Sequence, residues 1–364
     1  METRAVTGLT LDELATLFAV EGRPSLTRAH AFMGWLYRGE GRTLPEFIPT
    51  TIPGVSNRAL SALGSRLHLP HLHLRHREVS SDGTVKLLLD AGDSPLETVM
   101  IPTSSRVTVC VSSQSGCARD CHFCATALMG LKRNLKAEEI VAQVLFATRE
   151  APVGVPVRNV VFMGMGEPMD NLEEVLRAID ILTCPSGLGL AQRHVTVSSC
   201  GVLPRMEEFR RRSRAALAIS LNGTTAQQRL KVMPVEQRWS LHELLDFMGR
   251  HNDPDRPYLV EYILLAGEND SDDDARRLAS LMQGLHVRVN LIPFNAHPGA
   301  RWQRPDPERV ASFHHIIMAA GIRVYVRTTR GEEIAAACGQ LLRGAPSPSP
   351  RRAQTWDAAP PRLP

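Results

Sequence analysis

From about residue 106 onward the chain alternates β-type runs with helical ones, and this alternation restricts the fold more than any other feature. Seven runs rich in valine and isoleucine read as strands: RVTVCV, NVVFM, HVTVSS, ALAISL, LVEYILL, VRVNLIPF and IRVYVR. Helical stretches begin near Leu135, Asn171, Arg205, Leu241, Ser271 and Asp306. Ser271 followed by Asp274 forms a capping-box pattern, and Asp306-Pro307-Glu308 is a good helix start. Parallel strands need long crossovers, so repeated strand–helix units predict an α/β protein with a parallel sheet. The sheet is either an open doubly wound one or a full or partial barrel. In both, ligands gather at the carboxyl ends of the strands.

The flanking segments differ in character. Residues 1–75 read as a small helical domain carried by LTLDELATLFAVEG and LTRAHAFMGWLYRGEG. His71 and His73 share a strand face, but no carboxylate or cysteine stands near them, and we read that face as solvated. Residues 76–105 carry a β-hairpin signal with its turn at Asp82-Gly83. The last 21 residues, 344–364, are proline-rich and weakly apolar, the composition of a disordered tail. RMEEFRRRSR looks basic, yet Glu207–Arg211 and Glu208–Arg212 fall at i,i+4 and predict a self-paired helix face. No run of about 18 apolar residues and no apolar signal core is present, so the expectation is a cytoplasmic protein with no membrane span. A net charge of +4 permits RNA binding without requiring it.

Seven cysteines, an odd number, do not make a disulfide scaffold in a chain of 364 residues. Three of them, Cys117, Cys121 and Cys124, stand as C-x3-C-x2-C in GCARDCHFC, just after the first of the seven strands. That is one thiolate short of a closed site. Zinc with His122 or a distant cysteine is the plain alternative, but His122 sits between two of the cysteines and reaches the same ion only with strain. Three thiolates can hold a [4Fe–4S] cluster and leave its fourth iron for a small molecule. With Phe123 before the last cysteine, this is the pattern of radical S-adenosylmethionine (SAM) enzymes. One strand later, VVFMGMGEP runs into Gly164, Gly166 and Glu167, where glycine lets backbone approach a ligand and a carboxylate can accept from an ammonium group. Ser198 and Ser199, then Ser220, Leu221 and Asn222, then Asn295, close later strands. Each alone is an ordinary turn former; their common position favours ligand contact. Cys184 and Cys200 read as small loop residues, Cys110 lies in the strand leading to the triplet, and Cys338 lies far away in RTTRGEEIAAACGQL.

CVSSQSGCARDCHFCATALMGLKRNL, GMGEPMDN, LIPFN and RGEEIAAACGQL together resemble the RlmN/Cfr family of radical SAM RNA methyltransferases, over all but the tail. The resemblance implies a partial (β/α)6-type barrel at 106–343, with 1–75 as an RNA-binding accessory domain and 76–105 as a hairpin extension. It implies one [4Fe–4S] cluster on Cys117, Cys121 and Cys124. It also implies two SAM per turnover, held by Gly166, Glu167, Ser198, Ser220, Leu221, Asn222 and Asn295. The substrates it implies are an adenosine of 23S rRNA and the adenosine 3′ to the anticodon of tRNA. Methylation falls at C2 in RlmN-type members and at C8 in Cfr-type ones, and the residues do not decide the ring carbon. In the implied reaction one SAM methylates Cys338, a second yields a radical that abstracts hydrogen from that methyl group, and the carbon joins the ring. Glu97, in PLETVMIP, takes the ring proton, and Cys110 attacks the Cys338 sulfur, forming a disulfide and releasing the base. An electron donor such as flavodoxin and a monomeric state complete the expectation. Asn222 stands where the family usually has histidine, Glu236 where asparagine is common, and Cys200 is an unusual occupant of its turn. A non-catalytic iron–sulfur RNA-binding protein is the alternative of another class; it would need neither Cys110 nor Cys338.

Overall fold

Valine- and isoleucine-rich runs favour extended backbone because branched side chains pack well on a pleated surface. In the computed structural model, which describes residues 3–19, 22–38, 48–64, 66–92, 94–297 and 300–341, all seven runs are strands of one sheet. Its members are β1 (His73–Val79), β2 (Val85–Ala91), β3 (Ser94–Pro102), β4 (Val107–Cys110) and β5 (Val157–Phe162). They continue with β6 (Val195–Ser199), β7 (Ala216–Ser220), β8 (Tyr258–Leu264), β9 (Val287–Pro293) and β10 (Val324–Val326). The strands lie in sequence order from β1 at one edge to β10 at the other. Neighbours from β4 to β10 are parallel, and those from β1 to β4 are antiparallel. The strands of the 76–105 segment extend the sheet through the β3–β4 pairing.

Among the described residues the helices are α1 (Leu11–Leu17), α2 (Leu26–Arg38), α3 (Asn57–Gly64), α4 (Ala137–Glu150) and α5 (Leu172–Thr183). They continue with α6 (Leu203–Arg212), α7 (Ala226–Val232), α8 (Leu241–Arg250), α9 (Asp272–Met282) and α10 (Pro307–Ala319). Crossover α4 is buried all round from Glu139 to Ala147, whereas α5 to α10 each bury one side. On α5 it is Leu172, Val175, Leu176, Ile179 and Leu182, and each such side chain contributes roughly 1.5–3 kcal/mol on burial. The Ser271 cap forms both hydrogen bonds of its box with Asp274. In α6 the expected Glu208–Arg212 pair forms at 2.8 Å, whereas Glu207 turns to Arg250 of α8 at 2.8 Å rather than to Arg211.

The N-terminal helices enclose Phe18, Phe32 and Trp35, with ring centroids 5.6 and 5.2 Å apart in successive pairs. They dock on α4 and α5: Thr7 Oγ1 donates to the Glu138 carbonyl at 2.9 Å, and Arg177 Nε to the Gly8 carbonyl at 2.9 Å. His71 and His73 are exposed, as their strand face predicted. The tail at 344–364 lies outside the described residues. No helix among the described residues is long and apolar enough to cross a membrane.

A loop links the two ends of the sheet. After β10 the chain crosses to the β1–β2 turn, where the Gly331 N–H donates to Asp82 Oδ2 at 3.2 Å and Glu333 accepts from the Ser81 N–H. The open sheet is thereby bridged by a loop, and that loop leads to Cys338.

Candidate active site

The cysteine triplet hangs from β4 on a short two-stranded ribbon, Gln114–Gly116 paired with Leu131–Asn134. The Cys117 N–H donates to the Gly130 carbonyl at 3.1 Å, and the Ala125 N–H to the Gly339 carbonyl at 2.7 Å, which joins the loop to the Cys338 segment. Cys117, Cys121, Cys124 and Cys338 line one cavity. His122 does not line that cavity; its ring points elsewhere, with Nδ1 2.9 Å from the Lys231 carbonyl. Among the described residues no three His, Cys, Asp or Glu side chains close around a single ion. A four-iron cluster needs a wider set, because each thiolate takes a different corner of the cube. Burial pushes the Cys117 thiol up to about 12 and raises Cys121 and Cys124 as well. Buried thiols of this kind ionise when metal displaces their protons and supplies the compensating charge. The residues present fit the cluster.

The turn after β5 forms the next wall. Gly166 has φ +99°, and a Cβ there would lie 2.5 Å from Gln114 Cβ, so only glycine fits. Glu167 is buried between two turns: Oε1 accepts from the Met169 N–H at 3.1 Å and Oε2 from the Cys200 N–H at 2.9 Å. Burial raises this carboxyl, and the two N–H groups oppose that rise. Ser198, Ser220 and Asn222 line the same cavity. Asn222 adopts a left-handed conformation at φ 55°, which asparagine tolerates, and its Oδ1 accepts from the Ile263 N–H at 2.8 Å. Leu221 and Asn295 lie beside the cavity rather than on its wall. The Leu221 side chain is in the core, and Asn295 donates to the Cys338 carbonyl at 3.4 Å.

Cys110 lies beside the cavity, next to Met163 of its wall. The Met163 N–H hydrogen-bonds its thiol; burial and the nearby Cys338 push it up to about 12, and Arg327 acts against that rise. Arg327 Nη1 lies 3.5 Å from Glu261 Oε1 and 3.9 Å from Met163 Sδ. Sheet register explains Glu97: Val99 pairs with Cys110, so Glu97, two residues away on β3, faces the same side. Its side chain is buried, and its peptide carbonyl accepts from Ser112 Oγ at 2.6 Å. The expected Cys110–Cys338 disulfide is not formed; all seven cysteines are free thiols. Joining two free thiols gives up two protons and two electrons, so Cys110 and Cys338 stand here in their reduced form.

Several contributors escaped the sequence reading. The Arg327–Glu261 pair is one, although a carboxylate inside the apolar run LVEYILL was a signal. Another is Arg229, fully buried and 2.5 Å from Glu236, whose Nη2 donates to the Cys200 carbonyl at 2.6 Å. Arg119 of the cysteine loop donates to Asp170 and lies over Trp239 at 5.5 Å. A polar cleft at the opposite end of the sheet, lined by His286, Arg288 and Arg323, holds none of the expected residues.

The radical SAM superfamily profile matches residues 111–279. The chain is 40% identical to the dual-specificity RNA methyltransferase RlmN of Geotalea uraniireducens, over 94% of this chain and 97% of that one. It is 39% identical to dual-specificity RNA methyltransferase RlmN 2 of Myxococcus xanthus, over 92% and 90%. The crystal structure of a radical SAM methyltransferase from Sphaerobacter thermophilus superimposes with a TM-score of 0.84 at 38% identity, covering 93% of this chain and 98% of that one.

Proposed function

The chain belongs to the RlmN family of radical SAM RNA methyltransferases, and from that premise we propose that it methylates C2 of an adenosine in 23S rRNA and of the adenosine 3′ to the anticodon in tRNA. One observation carries the reading: a single cavity joins the cysteine triplet, the Gly166–Glu167 turn and Cys338, with Cys110 against it. Cys117, Cys121 and Cys124 would hold the [4Fe–4S] cluster. Gly166, Glu167, Ser198, Ser220 and Asn222 would line the SAM site, with Leu221 and Asn295 supporting it. When bound, the cluster and SAM supply a methyl group and the one-electron chemistry that activates it.

The chain's own side chains do the rest. Cys338, half-buried at the cavity edge, carries the methyl carbon to the ring and is joined to the RNA for part of the cycle. Glu97 takes the ring proton. Cys110 then attacks the Cys338 sulfur: the S–S bond forms as the bond from that sulfur to the transferred carbon breaks, the carbon takes the electron pair and a proton to become the methyl group, and an external dithiol reduces the disulfide for the next cycle. The charge on Arg327 favours the thiolate this step needs. The N-terminal domain serves as an accessory RNA-binding surface. A flavodoxin-type electron donor, a monomeric chain and a cytoplasmic setting complete the proposal, in keeping with the family resemblance.

Mass spectrometry of rRNA and tRNA from cells with and without the gene tests the substrate and the ring carbon together. Loss of 2-methyladenosine from both RNAs is expected. Loss of 8-methyladenosine instead, or no change, would overturn the proposal. Cys117→Ala should fail to hold a full cluster after anaerobic reconstitution, and Cys110→Ala should accumulate a covalent Cys338–RNA adduct. Clean turnover by the second variant would refute the two-cysteine route.

A further inference from the structure

β2 reads VKLLLDA, and its lysine is buried with the leucines: Lys86 is only 6% exposed. A buried ammonium is costly unless it is paired and hydrogen-bonded, so its partners show what the fold uses it for. Nζ lies 2.8 Å from Glu78 Oε2 and 3.8 Å from Glu97 Oε1, and it donates to the carbonyl of Ile334, four residues before Cys338. Register brings these groups together. Lys86 stands opposite Val99 while Leu88 stands opposite Glu97, so Lys86 and Glu97 are diagonal neighbours within reach of a long side chain. Val99 is in turn opposite Cys110, which puts Lys86, Glu97 and Cys110 on one face of the sheet. Glu78, opposite Lys86 on β1, balances its charge.

We propose that Lys86 is a positioning residue of the reaction: it keeps the Glu97 carboxylate ionised as a proton acceptor and anchors, through Ile334, the loop that presents Cys338. The proposal rests on the reading of Glu97 as the base and Cys338 as the methyl carrier. An opposite charge at this distance favours the charged form of a carboxyl group, against the burial that favours the neutral one. The other titratable groups on this face include Glu78 and His76 of β1, with His76 Nε2 3.3 Å from Glu78 Oε1, Asp90 of β2, paired with Arg75 at 3.5 Å, and Cys110 of β4, with the Arg327–Glu261 pair beyond it; Cys338 faces them from the loop.

The direct test is an infrared titration of the Glu97 carboxyl stretch in the apoprotein, the band being identified by its loss in Glu97→Gln. In Lys86→Met its midpoint should move upward by about one pH unit or more, and Lys86→Arg should hold it near the native value. An unmoved midpoint in Lys86→Met, or an equal shift in Lys86→Arg, would overturn the proposal, because shape and not charge would then be responsible. The native protein tests it without any variant: a Glu97 midpoint above the ordinary carboxylate range, as burial alone would give, overturns it too. In the reconstituted holoenzyme, Lys86→Met with Cys110 intact should accumulate at least about tenfold more Cys338–RNA adduct than native protein, since proton removal precedes release. Absence of that adduct counts against the proposal. Failure of the underlying reading looks different: Glu97→Gln would turn over normally, whatever the infrared midpoint does.

Discussion

Glu236, which the family resemblance singles out as a departure, is a buried acid, and its surroundings explain how it is tolerated there. It pairs with fully buried Arg229, and Oε1 accepts from the Leu241 N–H at 2.9 Å. Removing one partner of a buried pair leaves the other charge uncompensated. Glu236→Ala is therefore expected to lower stability by about 3–5 kcal/mol, and Glu236→Gln by less, as measured by urea denaturation. Because Arg229 also holds the Cys200 carbonyl, the Ala variant should loosen the turn that fixes Glu167. Single residues were legible in the sequence to the extent that they carry a local pattern. The cysteine triplet and the Gly166–Glu167 turn do so. Cys110, Cys338 and Glu97 became visible only through the family resemblance. Arg229–Glu236, Arg327–Glu261 and Lys86–Glu97 were not legible, because such pairs depend on packing and strand register rather than on spacing along the chain.

At the scale of elements, the ribbon below the cysteine loop is the most demanding. Gly116 has φ +80°, and a Cβ there would lie 1.8 Å from the Gly130 carbonyl oxygen. Gly116→Ala combines a disfavoured backbone conformation with a clash against backbone that cannot swing aside. A loss of at least about 2 kcal/mol is expected, with a lower iron content after reconstitution, read by thermal melting and iron analysis. Most elements could be read from periodicity: all seven parallel strands and the six helices expected between them are present. The seven-residue α7 escaped because two turns give too little repeat to detect. The hairpin was seen, but not its place in the sheet, since an exposed edge is satisfied by whichever strand pairs with it.

The whole molecule depends on how its N-terminal domain docks. Glu13 sits at that junction, accepting from the Thr10 N–H at 2.9 Å and pairing with Arg4 at 2.5 Å and with Arg177 of α5 at 2.5 Å. Burial alone would raise its carboxyl, but these donors outweigh it and hold it at about 2, below the ordinary 4.5. A depressed folded value means the stabilisation is complete above about 4.5 and is lost as pH falls toward 2. Docking should accordingly loosen over that interval, and Glu13→Gln should loosen it already at neutral pH. Small-angle scattering and proteolysis of the segment that joins the two parts would record both changes.

The bridge between the sheet's two edges has a consequence at this same scale. The stretch from Arg330 to Ile334 is a clasp between the end of β10 and the β1–β2 turn, fastened to Asp82, Ser81 and Lys86. Beyond it the chain is held twice more, by Asn295 on the Cys338 carbonyl and by the Ala125 N–H on that of Gly339. One thiol is thus carried by a segment moored to the hairpin, to the end of β9 and to the cysteine loop at once, and its position is the meeting point of all three.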